Sequence, residues 1–358
     1  MRVLVLLMVF VLSIFAKEKE LYIYNWSEYM PESVLEEFTK ETGIKINYST
    51  YDSNEEMYEK ITTSPDENYD IIFPSTYFIN KMSENNLLLK IDHTKLSNYK
   101  NLNPKLLSKF FDPNNDYSIP YMWGSTGITY NSAEVYSPIH SWADLWNKKY
   151  KASVLLNDDM REVFGMALKV LGYSANSTNP KEIDEAYYKL VQLKPNIKVY
   201  DSESQKDYYL QDKVKLGMSF NGEGFAAKKD DNADKFAKMI FDGELSTKEE
   251  NKELIYVYPT EGVIVWMDSM VIYKNSKNVE NAHIFINYLL RAQVAKSISQ
   301  KLGYASPNSA AVSLLSRSIT KNRTIYPNSQ DLRNAEFLIN VDEVLHLYKK
   351  YWKMLKDE

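Results

Sequence analysis

The sequence predicts an α/β protein with two lobes, each built on a central, mostly parallel sheet flanked by helices. Short β-type runs alternate with amphipathic helical stretches from Glu20 onward, and this spacing is typical of βαβ units. The same alternation begins again at Val154. The length of 358 residues fits two domains and supports a large apolar core.

Three strands and two helices are predicted in the first part of the chain. The strands are short apolar runs at residues 21–24, 44–48 and 69–73. The first helix begins at Pro31, a residue suited to a first helical turn, and ends before Gly43. The second helix is predicted to begin with a capping box made by Ser53 and Glu56.

The second half repeats this arrangement. A strand at residues 154–156 precedes a helix whose apolar face runs from Val163 to Val170 and which ends near Gly172, and a further strand is predicted at residues 214–219. The chain contains no repeat of about 20 to 50 residues and no Gly/Ser- or Pro-rich linker, which favours lobes joined by several tight strands. Residues 228–252 are rich in charge and are interpreted as a solvated surface insertion of unassigned function.

Residues 1–16 are typical of a secretory signal peptide. Arg2 is followed by an apolar run to Ala16 and then by a charged segment. The run is too short to span a membrane, which takes about 20 apolar residues. Ile14 departs from the small residue expected before the cleavage point, which leaves open the exact cleavage site and the alternative that the segment is retained as an anchor. No cysteine is present to carry a lipid, and we expect export to the periplasm.

The composition excludes several classes of function. The absence of cysteine rules out disulfide scaffolds, thiolate zinc sites, iron–sulfur clusters and a cysteine nucleophile. A formal charge of −5 argues against binding to nucleic acid or to an anionic membrane, since both favour a basic surface. The 28 tyrosines are the compositional feature that has no immediate explanation.

Signatures of catalysis are weak. Gly222 begins a match to the dinucleotide pattern G-x-G-x-x-A, but Asn221 interrupts the passage from strand to turn, which favours a tight turn before a helix. The four histidines are scattered without an i, i+4 pair, and neither G-x-S-x-G nor a P-loop occurs. We therefore expect neither a metal nor an enzyme.

Carboxylates cluster at one predicted strand-to-helix junction, where Asp158 and Asp159 precede Glu162. The spacing favours a helix N-cap with a capping-box glutamate. A divalent-metal or acid/base pair is the alternative. An exported glycosidase that used Asp159 and Glu162 would need two carboxyl groups about 5 to 9.5 Å apart on either side of a sugar cleft.

Aromatic residues stand beside acids or other polar groups in four short segments. YNWSEY follows the first strand, PSTYF the third, FN ends the strand before Gly222, and VWMDS lies in an apolar run. Ligands of α/β sheets bind beyond the carboxyl ends of strands, where three of these segments are predicted to lie. Aromatic faces attract ammonium groups and carboxylates bind them, so the segments suit a ligand of alternating methylene and ammonium groups. Core packing is the alternative for each segment taken alone.

The sequence resembles the spermidine/putrescine-binding periplasmic proteins of polyamine ABC importers, most closely the spermidine-preferential member. The similarity is carried by these four segments and by NDDMREVFGMALKVLGY and LGYASPNSAA. The similarity runs from about Leu21 to the C-terminus. It implies the two-lobed periplasmic-binding-protein fold of type II, with hinge strands between an N-terminal lobe (17–125 and 264–318) and a C-terminal lobe (126–263 and 319–358). It also implies a monomer without cofactor or catalytic activity that delivers its ligand to a membrane permease and ATPase.

The resemblance implies a ligand site of twelve residues. They are Trp26, Ser27, Glu28, Tyr29, Tyr77, Asp159, Glu162, Ser202, Phe220, Trp266, Asp268 and Tyr304. The acids among them would meet ammonium groups, namely Glu28, Asp159, Glu162 and Asp268. Aromatic walls along the methylenes would come from Tyr29, Tyr77, Phe220, Trp266 and Tyr304.

Two positions depart from the spermidine-preferential pattern. Phe220 stands where that member has tryptophan, and Leu338 stands where it has glutamine. A hydrogen bond to a charged group contributes about 1.5 to 3 kcal/mol, so the preference between spermidine and putrescine stays open.

Receptors of the same fold for an amino acid, thiamine or ferric iron would need a carboxylate-binding arginine or a Tyr/His cluster, and the candidate segments offer acids and aromatics instead.

Overall fold

A computed structural model describes residues 19–222 and 254–357. The predicted signal peptide, residues 1–16, and the charged stretch, residues 228–252, lie outside the described residues. Within the described ranges, no helix combines the length and the apolar character needed to cross a membrane.

Helices and strands alternate across residues 20–89, as the sequence predicts, whereas four helices follow one another between residues 273 and 336. The helices are α1 Glu32–Thr42, α2 Asn54–Thr63, α3 Thr76–Glu84, α4 Met160–Val170, α5 Pro180–Leu193, α6 Gln205–Leu210, α7 Val279–Leu289, α8 Ala292–Leu302, α9 Ser309–Val312, α10 Arg317–Thr320 and α11 Leu345–Asp357. The strands are β1 Glu20–Trp26, β2 Lys45–Tyr51, β3 Ile71–Ile72, β4 Leu88–Leu89, β5 Ser118–Asn131, β6 Val154–Leu156, β7 Ile197–Tyr200, β8 Leu216–Phe220, β9 Leu254–Val257, β10 Ile264–Tyr273 and β11 Glu336–Phe337.

The strands form one mixed sheet, in which eight follow the order β2-β1-β3-β10-β5-β8-β6-β7. The other three are short strands that pair beside this path, β4 and β11 with β10 and β9 with β5. The pairs at its two ends are parallel, with β1 between β2 and β3 and with β6 between β7 and β8. The long strands β5 and β10 are antiparallel to each other and join the two ends. The parallel arrangement predicted for each lobe is therefore found at the ends, and antiparallel strands connect them.

Apolar side chains pack in separate clusters beside the two ends of the sheet. Phe38 of α1 contacts Phe285 of α7 edge to face in one cluster, with ring centroids 4.9 Å apart. Phe164 of α4 and Tyr348 of α11 make an equivalent contact in the other cluster. Separate clusters agree with two lobes, whose residue boundaries stay a prediction.

The local signals for the ends of helices act largely as predicted. Gly43 ends α1 in the left-handed conformation, with φ 68°, which glycine adopts without strain. The side chain of Ser53 accepts a hydrogen bond from the backbone N–H of Glu56, which is half of the predicted capping box. The Glu56 carboxylate accepts its own bond from the N–H of Asp52 instead of Ser53, so the reciprocal half is shifted by one residue.

Candidate functional site

All twelve residues of the predicted site line one cavity of about 120 Å³. It lies beyond the carboxyl ends of strands: Trp26 is the last residue of β1, Phe220 is the last of β8, and Tyr77 is the second residue of α3, which follows β3. Further lining residues outside the predicted set are Tyr51, Asp52, Asn54, Ser75, Thr76, Glu203, Val265 and Leu338. Segments far apart in the sequence thus meet as the pattern of aromatics and acids predicts.

Asp268 is the most firmly held acid of the cavity. It lies on β10 where the pairing with β5 shifts register, and it is only 5% exposed. The hydroxyl groups of Tyr29 and Ser75 donate to its two oxygens at 2.8 and 2.5 Å. Burial raises the pKa of Asp268 to about 6, although both hydrogen bonds favour the ionised form.

Further hydrogen bonds position the two residues that donate to Asp268. The hydroxyl of Tyr121 donates to the carbonyl oxygen of Tyr29 at 2.8 Å, and the N–H of Ser75 donates to the side chain of Asn54 at 3.0 Å. Asn54 and Ser75 were missed from the sequence as site residues. Ser75 lies inside the PSTYF segment, two residues before Tyr77, and that position was its only local signal.

Aromatic rings form the walls beside Asp268. The Trp266 ring meets the rings of Phe220 and Tyr304 edge on, with centroids 5.9 and 5.1 Å away. Two glycines make room for this packing, since a Cβ on Gly124 would lie 2.5 Å from the Trp266 ring and one on Gly222 would lie 2.2 Å from the Tyr304 ring. Gly222, which begins the weak dinucleotide match, therefore serves the close approach of an aromatic wall.

Asp159 caps the start of α4 and Glu162 lies in its first turn, and the structure supports both the capping role and the position in the cavity. The Asp159 side chain accepts a hydrogen bond from the backbone N–H of Glu162 at 3.0 Å. Glu162 is 4% exposed, and its Oε2 atom has no hydrogen-bond partner among the described residues. Burial, and next the charge of Asp159, raise the pKa of Glu162 well above its ordinary value. The neighbouring Asp158 instead forms an ion pair with Lys356 at 2.6 Å.

A buried arginine, Arg161, lies close to these two acids, and no sequence pattern indicated it as part of the site. Arg161 is 1% exposed, and its guanidinium donates to the Ile339 carbonyl and to Asn176 at 3.1 Å each. The guanidinium carbon lies 5.7 Å from the centre of the Tyr77 ring. Its positive charge opposes the upward shift in the pKa values of Asp159 and Glu162 that burial causes.

The outer part of the cavity carries three acids that already have partners. Glu28, whose side chain is 75% exposed, lies 3.4 Å from the ammonium of Lys206. The neighbouring carboxyl group of Asp52 raises the pKa of Glu203 to about 7. The hydroxyl of Ser27 also donates to Asp52, at 2.9 Å. Among the described residues, no group of three or more histidines and acids could hold a metal ion.

Comparisons with known proteins identify a family and several relatives of this chain. Residues 33–326 match the family described as bacterial extracellular solute-binding protein. The chain is 46% identical to the spermidine/putrescine-binding periplasmic protein of Escherichia coli, over 94% of this chain and 91% of that protein. It is 31% identical to a putrescine-binding periplasmic protein of the same organism, over 92% and 88%.

Solved structures confirm the predicted α/β fold. A spermidine/putrescine ABC transporter substrate-binding protein from Streptococcus pneumoniae is 38% identical with a TM-score of 0.75, over 94% of this chain and 98% of that one. A putative spermidine/putrescine ABC transporter protein from Listeria monocytogenes is 36% identical with a TM-score of 0.82, over 94% and 99%.

Proposed function

The chain belongs to the bacterial extracellular solute-binding protein family, and from this premise we propose that it captures spermidine or putrescine and delivers it to a membrane ABC permease. It does so in the periplasm as a monomer, after export directed by residues 1–16, and the importer's ATPase drives transport. The twelve predicted residues of the cavity bind the ligand.

The observation that carries this proposal is a pair of buried carboxylates, Asp268 and Glu162, in one cavity walled by aromatic rings. A buried carboxylate is costly unless a cation or hydrogen-bond donors compensate it. An aromatic face attracts an ammonium by about 0.5 to 2 kcal/mol and also packs against methylene groups. A short chain of methylenes with an ammonium at each end satisfies both kinds of surface.

The structure gives no support to the glycosidase alternative. Asp159 and Glu162 lie within one turn of α4, and the first caps the backbone N–H of the second. Two carboxyl groups on the same turn do not flank a sugar from opposite sides, as glycoside hydrolysis requires.

Calorimetric titration of the mature protein tests the proposal. We expect saturable one-to-one binding of putrescine and spermidine, and no binding of 1,4-butanediol, which keeps the methylenes but lacks both ammonium groups. Because only the folded protein binds, ligand at about 100 times Kd should stabilise it by about 2.7 kcal/mol and raise its melting temperature. Absence of saturation with putrescine, spermidine and cadaverine would refute the proposal.

A further inference from the structure

We propose that the ammonium group of Lys206 pairs with Glu28, the acid in the outer part of the cavity, and thereby disfavours ligands that carry a third ammonium group. The inference rests on the proposed function and names a specificity-determining residue for it. Its basis is the contact of the Lys206 ammonium with Glu28 across the outer part of the cavity, at 3.4 Å.

The backbone around both partners is held in place. Gln205, the residue before Lys206, is fully buried, and its side chain donates to Asn157 at 2.7 Å and accepts from the N–H of Phe220 at 3.1 Å. Glu28 lies in a turn with φ 51°, directly before Tyr29. Lys206 is thus anchored to the wall that carries Phe220, and it faces the acid on the opposite segment.

The other two acids of the outer part are also engaged. Asp52 accepts a hydrogen bond from the hydroxyl of Ser27 at 2.9 Å, and the neighbouring Asp52 carboxyl group raises the pKa of Glu203 to about 7. In the inner part, by contrast, Oε2 of Glu162 has no partner among the described residues. Two ammonium groups can meet the buried acids Asp268 and Glu162, with Asp159, which caps α4, beside Glu162. A further ammonium that extends to the outer part of the cavity would have to displace Lys206 from Glu28.

A third ammonium would also meet a like charge, which adds to the cost of displacing Lys206. Glu28 is largely exposed, so water and salt screen both effects and the expected change in selectivity is modest, about two- to fivefold. Removing the Lys206 charge should leave putrescine binding nearly unchanged and strengthen spermidine binding.

The test is calorimetric titration of putrescine and spermidine against the wild-type protein and Lys206→Met, which keeps the length of the side chain. We expect the ratio of the two Kd values to move about two- to fivefold toward spermidine. Lys213→Met is the matched control, because Lys213 is exposed and follows the same helix, and its ammonium lies over the Tyr208 ring, 5.7 Å from the ring centre. It removes the same charge and should leave the ratio unchanged.

A double variant separates the pairing with Glu28 from general repulsion. In a Glu28→Gln background, Lys206→Met should shift the ratio clearly less than it does in the wild type. An unchanged ratio for Lys206→Met, in a protein that binds both polyamines, would overturn the inference. Equal weakening of both ligands would also overturn it, because Lys206 would then help to close the cavity over any polyamine. Failure of the wild type to bind either polyamine would refute the proposed function, and the inference with it.

Discussion

The two buried acids of the cavity, Asp268 and Glu162, have similar exposure and opposite surroundings. Both oxygens of Asp268 accept hydrogen bonds, from Tyr29 and Ser75. Glu162 is as deeply buried, but its Oε2 atom has no partner among the described residues. The protein itself satisfies the first acid, and the second depends on something that enters the cavity.

Because of this difference, we expect Asp268 and Glu162 to contribute differently to the binding of a diamine. Asp268 is oriented before binding, so little is lost in ordering it when an ammonium arrives. The charge of Arg161 offsets the cost of burying Glu162 only in part, since the pKa of Glu162 stays well above its ordinary value, and a bound cation would reduce the remaining cost. We infer that Asp268 contributes most to affinity and that Glu162 makes the unliganded cavity less stable.

The largest expected effect comes from Asp268→Asn, which keeps the shape of the side chain and removes its charge. Truncating one partner of a buried charge pair costs about 2 to 4 kcal/mol, which corresponds to a loss of affinity of about 30- to 1,000-fold for either polyamine. Calorimetric titration measures this. Glu28→Gln is the matched control, because this acid is exposed and paired with Lys206, and a loss below about fivefold is expected. Similar losses for the two variants would contradict the ranking.

The next effect is the dependence of affinity on pH. The pKa of Asp268 is raised to about 6 by burial, and that of Glu162 is raised as well. An ammonium binds the ionised carboxylate, so below pH 6 binding must expel a proton, and affinity falls about tenfold per pH unit for each such group. We expect putrescine to bind at least about tenfold more weakly at pH 5 than at pH 7.5.

The unliganded protein should respond to pH in the opposite sense. A carboxyl group whose pKa is higher in the folded than in the unfolded state stabilises the fold at low pH, and this contribution is lost as pH rises through about 4 to 6. Melting temperatures of Asp268→Asn should lack this part of the pH dependence, and its affinity profile should be flatter. A wild-type affinity that is constant from pH 5 to 7.5 would show that neither acid takes up a proton in that range.

The sequence predicts where the acids of the cavity lie better than it predicts their hydrogen-bond partners. Asp159 and Glu162 are recognisable because a helix cap is a local pattern, and the aromatic segments lie at strand ends that hydrophobic runs mark. The bond from Ser75 to Asp268 joins residues 193 positions apart, and no local pattern reports it. The antiparallel pairing of β5 with β10 was not predicted either, since both strands are almost entirely buried and show no alternation.

The smallest effect, and the sharpest test of the comparison, is the stability of Glu162→Gln without ligand. Glutamine has nearly the same shape and removes the cost of a buried carboxylate, so the melting temperature at pH 8 should rise by about 1 to 3 °C while polyamine raises it less than in the wild type. Asp268→Asn should not gain stability at that pH, since it gives up charge-assisted hydrogen bonds with Tyr29 and Ser75. Equal destabilisation by the two substitutions would mean that Glu162 is as well satisfied as Asp268, and the contrast between the two ends of the cavity would fail.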